Sequence, residues 1–190
     1  HSYNFDNVFT CELLQEYFKD ASRKLMDCYN VYVFNQSSPE FLDNFIKIYM
    51  EKKRKDIVII YLDAHFYDSN LPKEKRFVVL DELKVLSNFD NCIIVIHDFW
   101  NDQFTGITYD DVKLDFNLLK HYLNPKMHYY TNTECNIYDK NTIQEVTPPD
   151  YDILKSLSYV WSSPEKTKRG LLYCVPKSLD LTKYKLKEII

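Results

Sequence analysis

A chain of 190 residues with 45% hydrophobic and 27% charged residues has the size and mix of one globular domain, which excludes a disordered tail and a fibrous repeat. Its 24 basic and 28 acidic residues leave a net charge of −4, so bulk electrostatics exclude a nucleic-acid-coating protein, and no apolar run reaches the eighteen or so residues of a bilayer span. Gly106 and Gly170 are the only glycines where average usage gives about thirteen, so no G-x-G phosphate loop lies within these residues.

Residues 8–13 read as a short strand passing into a helix with Leu14, Tyr17, Phe18, Ala21 and Leu25 on one face. Residues 31–34 are a second β-rich run. Ser38-Pro39-Glu40 then opens a helix, with a capping hydroxyl, a proline in the first turn and an acid at the positive end of the dipole. Phe41, Leu42, Phe45, Ile48 and Tyr49 form its apolar stripe, and Lys52-Lys53-Arg54-Lys55 complement the dipole at its end. The run 57–62 is continuously apolar, as a strand covered on both faces should be, and ends in Asp63-Ala64-His65. Leu80, Leu83 and Leu86 mark the next helix. A second continuous run, 92–96, ends in His97-Asp98-Phe99-Trp100, and Val112, Leu114, Phe116, Leu118, Leu119 and Tyr122 predict a helix over 110–123. Strands follow near 128–131 and at 171–175. Residues 1–176 then form one α/β domain and 177–190 a C-terminal tail, whose apolar residues pack back on it.

Alternation of strands and helices predicts a mostly parallel sheet, because crossovers between parallel neighbours are right-handed. Ligands of such sheets sit beyond the carboxyl ends of the strands. Those ends carry Glu12, then Gln36 and Ser37, then Asp63 and His65, then His97 and Asp98. A carboxylate in the position of Glu12 suits a ribose diol. Asp63 and Asp98 offer hard oxygen ligands for Mg²⁺ or another divalent ion, with His97 as a further ligand or as an orienting group. His65 is a candidate general base, whereas His1, His121 and His128 read as structural or exposed. The 100–109 loop is placed to cover a substrate. Cys11, Cys28, Cys92, Cys135 and Cys174 include no C-x-x-C pair and read as reduced thiols of a cytoplasmic protein.

The segments from Phe5 to Glu12, Asn35-Gln36-Ser37-Ser38, Tyr61-Leu62-Asp63-Ala64-His65, Asp81-Glu82-Leu83 and Ile94-Val95-Ile96-His97-Asp98-Phe99 together resemble a class I S-adenosylmethionine-dependent methyltransferase, of the FkbM-like and sugar or macrolide O-methyltransferase-like kind. The resemblance spans roughly residues 5–175. It implies a Rossmann-like doubly wound, mostly parallel sheet with an antiparallel last strand. It also implies S-adenosylmethionine as cofactor, with Glu12, Gln36, Ser37 and Asp63 on the cofactor, Asp63 and His65 in catalysis, and Asp63, His97 and Asp98 on a divalent metal. The acceptor it implies is a hydroxyl of a small molecule or glycan. The chain departs from the family pattern in lacking its first strand and Gly-rich loop, in Gln36 replacing a carboxylate, and in His97-Asp98 replacing an acidic pair. Two alternatives stand beside it: a catalytically inactive methyltransferase-like binding or assembly module, and, from Asp63-Ala64-His65, an arginase-like metal-dependent hydrolase. Self-association stays open.

Overall fold

The structure is a computed structural model that describes residues 5–52, 58–64, 76–133, 169–179, 181 and 186–189. Its first half follows the expected alternation. β1 (Val8–Cys11) leads into α1 (Gln15–Lys24) and then β2 (Val31–Phe34), which pairs in parallel with β1 from Val8–Val31 to Cys11–Phe34. α1 buries no residue and contributes none to the core.

The second helix starts one residue earlier than its sequence suggests. Ser37 holds the extended backbone of the cap (φ −67°, ψ 150°), and its hydroxyl donates to Glu40 Oε2 at 2.7 Å, so Ser38 is already helical. α2 (Ser38–Phe41) passes through a π-helical turn (Leu42–Ile46) into α3 (Lys47–Lys52). Leu42, Ile46 and Met50, spaced four apart, all face the core. Phe9 of β1 packs edge-on or tilted against Phe45 and Tyr49, with centroids 4.9 and 5.2 Å away, which fixes this helical layer over the first strand pair.

β3 (Val58–Leu62), α4 (Val78–Leu86) and β4 (Cys92–Ile96) form a second parallel unit. From there the architecture departs from expectation. Where a helix over 110–123 is predicted, β5 (Thr108–Tyr109) and β6 (Val112–Lys113) make a hairpin, followed by only four residues of α5 (Phe116–Leu119). β7 (Met127–Asn132), β8 (Leu172–Pro176) and β9 (Leu186–Glu188) complete the described strands.

The doubly wound, mostly parallel sheet is therefore corrected. The main sheet has five strands in the order β3-β4-β8-β7-β9. Only β3–β4 is parallel, while β4–β8, β7–β8 and β7–β9 are antiparallel. β1–β2 stands as a separate two-stranded sheet. The physical reason lies after β4: a parallel neighbour needs a crossover of a dozen or more residues, usually a helix, and the described residues there hold a hairpin and a single helical turn. β9, from the predicted tail, pairs with β7, and His128 Nδ1 lies 2.7 Å from Glu188 Oε1 across that pair. One core, which includes Leu62, Leu80, Leu83, Ile94, Leu119 and Leu172, lies under α2–α4. No helix among the described residues is long and apolar enough to cross a membrane.

Candidate functional site

Asp63 follows β3, and His97 and Asp98 follow β4. Because these two strands are parallel and in register from Val58–Cys92 to Leu62–Ile96, all three residues leave the sheet at one end. The His97 N–H donates to the Leu62 carbonyl at 3.0 Å, continuing the ladder one step past β4 and holding the imidazole beside Asp63. His97 Nδ1 lies 2.9 Å from Asp63 Oδ1 and 3.5 Å from Asp98 Oδ1. One potential ligand atom from each residue lies within 4.8 Å of the other two, a spacing that a divalent ion with bonds of about 2.0–2.6 Å can span. Two carboxylates and an imidazole fit such an ion in donor chemistry. Asp98 is buried and Asp63 exposed, so the group opens to solvent through Asp63.

Asp98 holds a left-handed backbone, φ 55°, which an L-residue adopts at a cost. Its surroundings impose it. The Asp98 carbonyl accepts the Ile107 N–H at 2.7 Å, and the Phe99 N–H donates to the Gly170 carbonyl at 3.0 Å. A Cβ on Gly106 would overlap the Asp98 carbonyl oxygen, and one on Gly170 would overlap that of Phe99. Both glycines of the chain thus press backbone against the segment that carries the site. Arg169, beside Gly170, brings its Nε to 3.2 Å from Asp98 Oδ1 and donates to the Gly106 carbonyl at 3.3 Å.

The 100–109 loop is packed down. Trp100 Nε1 donates to the Ile107 carbonyl at 3.0 Å, the Lys113 ammonium sits 4.3 Å from the centre of a Trp100 ring, and Phe104 is buried. Asn101 is its hub. Its Oδ1 accepts the N–H groups of Gln103 and Phe104, and its Nδ2 donates to Thr131 Oγ1 at 2.6 Å.

Of the residues singled out from sequence, the structure brings Asp63, His97 and Asp98 together. Glu12, Gln36 and Ser37 gather at the ends of β1 and β2, where Asn35 Nδ2 donates to the carbonyls of Glu12 and Leu13. There Glu12 Oε1 accepts the Leu14 N–H at 2.9 Å, and Ser37 is engaged by Glu40. Burial, with the carboxylates of Glu82 and Glu12, pushes the Cys11 thiol up to about 11, and Cys11 packs against the core. His65 lies outside the described residues. Arg169 and the left-handed Asp98 have no counterpart in the sequence reading: Arg169 sits seventy residues downstream in a basic run, and nothing in His97-Asp98-Phe99 signals a positive φ. A groove of about 1020 Å³ between α2–α3 and α4, lined by Glu40, Asp43, Lys47, Lys84 and Asp90, lies toward the amino end of β4, away from this cluster.

Comparison of the chain with protein-family models, curated proteins and solved structures gives no match.

Proposed function

We propose that the chain is an S-adenosylmethionine-dependent methyltransferase that acts on a hydroxyl of a small molecule or glycan, with Asp63, His97 and Asp98 forming its acceptor side. The observation that carries the reading is the convergence of these three side chains at the carboxyl ends of adjacent parallel strands, on a backbone held in a strained conformation by two glycine contacts. S-adenosylmethionine supplies, when bound, a methyl group on a sulfonium. Asp63 and Asp98 would hold a divalent ion, which when bound would supply Lewis acidity to an acceptor hydroxyl. His97, between them, fixes their spacing. In this reading Glu12 takes the ribose through the carboxylate oxygen that the Leu14 N–H does not occupy, and Gln36 takes the adenine. The four described cysteines are free, which favours a reducing, cytoplasmic setting.

The Arg169–Asp98 pair favours a second reading. A guanidinium already neutralising Asp98 suits a closed structural network, as in a binding module without activity. One experiment separates the two: calorimetry with S-adenosylhomocysteine and, separately, with Mn²⁺. The enzyme reading expects both to bind, with Glu12→Ala weakening the nucleoside about tenfold and Asp63→Ala abolishing the metal. Absence of both heats would overturn it, and a folded Asp63→Ala variant with unchanged metal binding would remove the cluster from the site.

A further inference from the structure

Arg169 and a divalent ion need the same oxygen. Arg169 Nε lies 3.2 Å from Asp98 Oδ1, and Oδ1 is also the Asp98 oxygen that stands 3.5 Å from His97 Nδ1. An ion shared between Asp98 and the imidazole bonds the carboxylate through the oxygen nearest that ring, at about 2.0–2.6 Å. A guanidinium hydrogen-bonded to the same oxygen then faces a doubly charged cation at close range, where like charges repel strongly in a partly buried site. The Asp98 side chain is 12% exposed and that of Arg169 33%, so water reaches the pair mainly from the arginine side.

Each partner is held in place without the other. The Asp98 carbonyl accepts the Ile107 N–H, the next N–H donates to the Gly170 carbonyl, and Gly106 closes on the Asp98 carbonyl oxygen. The main chain of Arg169 bridges Thr105 in parallel, the Gly170 N–H donates to the Thr105 carbonyl at 3.0 Å, and Asn132 Nδ2 donates to the Arg169 carbonyl at 3.2 Å. From that anchored backbone the guanidinium reaches Asp98 and also donates from Nη1 to the Gly106 carbonyl at 3.3 Å. A clamp to orient Asp98 is redundant where main-chain contacts already fix it. What the guanidinium adds is charge, and its side chain can turn toward solvent while both backbones stay where they are.

We infer, on the reading of Asp63, His97 and Asp98 as a metal site, that Arg169 is a built-in competitor of the divalent ion and regulates its occupancy. In the metal-free chain the guanidinium neutralises Asp98, which would otherwise be a buried carboxylate beside a second one. Arg169 gives up Oδ1 when an ion binds, and the affinity of the site is lowered by the ion pair that must break. The closed network and the metal site are then two states of the same residues, and the ion concentration selects between them.

The test is calorimetry of the whole chain with Mn²⁺, beside NMR of the Arg169 side chain with diamagnetic Zn²⁺. Arg169→Gln keeps a donor for the Gly106 carbonyl but has no charge to displace, and should bind Mn²⁺ about tenfold more tightly than the unaltered chain. Arg169→Lys keeps the charge and should stay within about threefold of the unaltered chain. In the unaltered chain, saturation with Zn²⁺ should speed exchange of the Arg169 Nε–H with water about tenfold, a readout that depends on no variant folding. Three results would each overturn the inference while leaving the metal site standing: a glutamine variant that binds Mn²⁺ no more tightly, a lysine variant that gains as much as the glutamine one, or an Nε–H unchanged in Zn²⁺-saturated protein. Absence of Mn²⁺ binding in both the unaltered chain and Arg169→Gln would instead remove the metal site itself, and the competition with it.

Discussion

Asp98 and the two glycines form the tightest arrangement in the site. Asp98 keeps its left-handed backbone because Ile107 donates to its carbonyl and because Gly106 lets that carbonyl approach where any Cβ would collide. Gly106→Ala should therefore cost about 3 kcal/mol, the upper range of overpacking penalties, and shift Asp98 away from His97. Urea unfolding reads the first effect, and loss of metal binding in the folded fraction reads the second. An alanine variant of wild-type stability would show that the approach is looser than described. The composition makes the chain's glycine shortage obvious, yet it says nothing of where the two survivors sit. Their partners, Asp98 and Phe99, are local to Gly106 but seventy residues from Gly170, a distance that no local pattern spans.

At the scale of elements, the hairpin β5–β6 shows why a helix over 110–123 is the wrong expectation. Val112, Leu114, Phe116 and Leu118 alternate with polar residues, a period of two as much as a helical stripe. The deciding residues are Asp110 and Asp111, with φ of 45° and 69°, the pair of positive values that a two-residue turn between antiparallel strands requires. Arg76 forms an ion pair with Asp110 and anchors the turn, while Asp115 ends the hairpin and caps α5 by accepting the Leu118 N–H at 3.0 Å. Asp111→Gly should raise stability by about 0.5 kcal/mol, since glycine enters this region without strain. Thermal unfolding checks it, and a lower midpoint would contradict the turn geometry. By contrast β2 and β4 coincide with their apolar runs and β3 lies within its own, and Asp63, His97 and Asp98 were legible as strand-end residues. Runs of consecutive apolar residues leave few other ways to be placed, but cover on both faces holds for β4 and not for β3, which buries Ile60 and Leu62 and exposes Ile59 and Tyr61.

For the whole molecule, burial of ionisable groups links stability to alkaline pH. Burial pushes the Cys92 thiol up to about 12, with Asp90 adding to it, and raises Cys174 further in the same direction. Tyr129, whose hydroxyl donates to the Asn124 carbonyl, is pushed up to about 12 by burial. The folded chain keeps these protons where the unfolded chain releases them, near 8.5 for a thiol and 10 for a phenol. Their contribution is full below about pH 8.5 and is lost as the pH rises toward 12. Calorimetry should show a falling midpoint above pH 9, and Cys11→Ala, which removes the thiol pushed up to about 11, should flatten the first part of the fall; a midpoint flat to pH 11 would refute this.

The order of the main sheet was the least legible level, because β8 takes its place by pairing with β4 and β7, far earlier in the chain. That order also sets a timetable for synthesis. β8 stands between β4 and β7, so a nascent chain that ends before residue 172 carries β3–β4 and β7 with nothing to join them. The five-stranded sheet closes only when its interior strand, synthesised after both of its neighbours, is threaded between partners already made, and until then their edges must be kept from other chains.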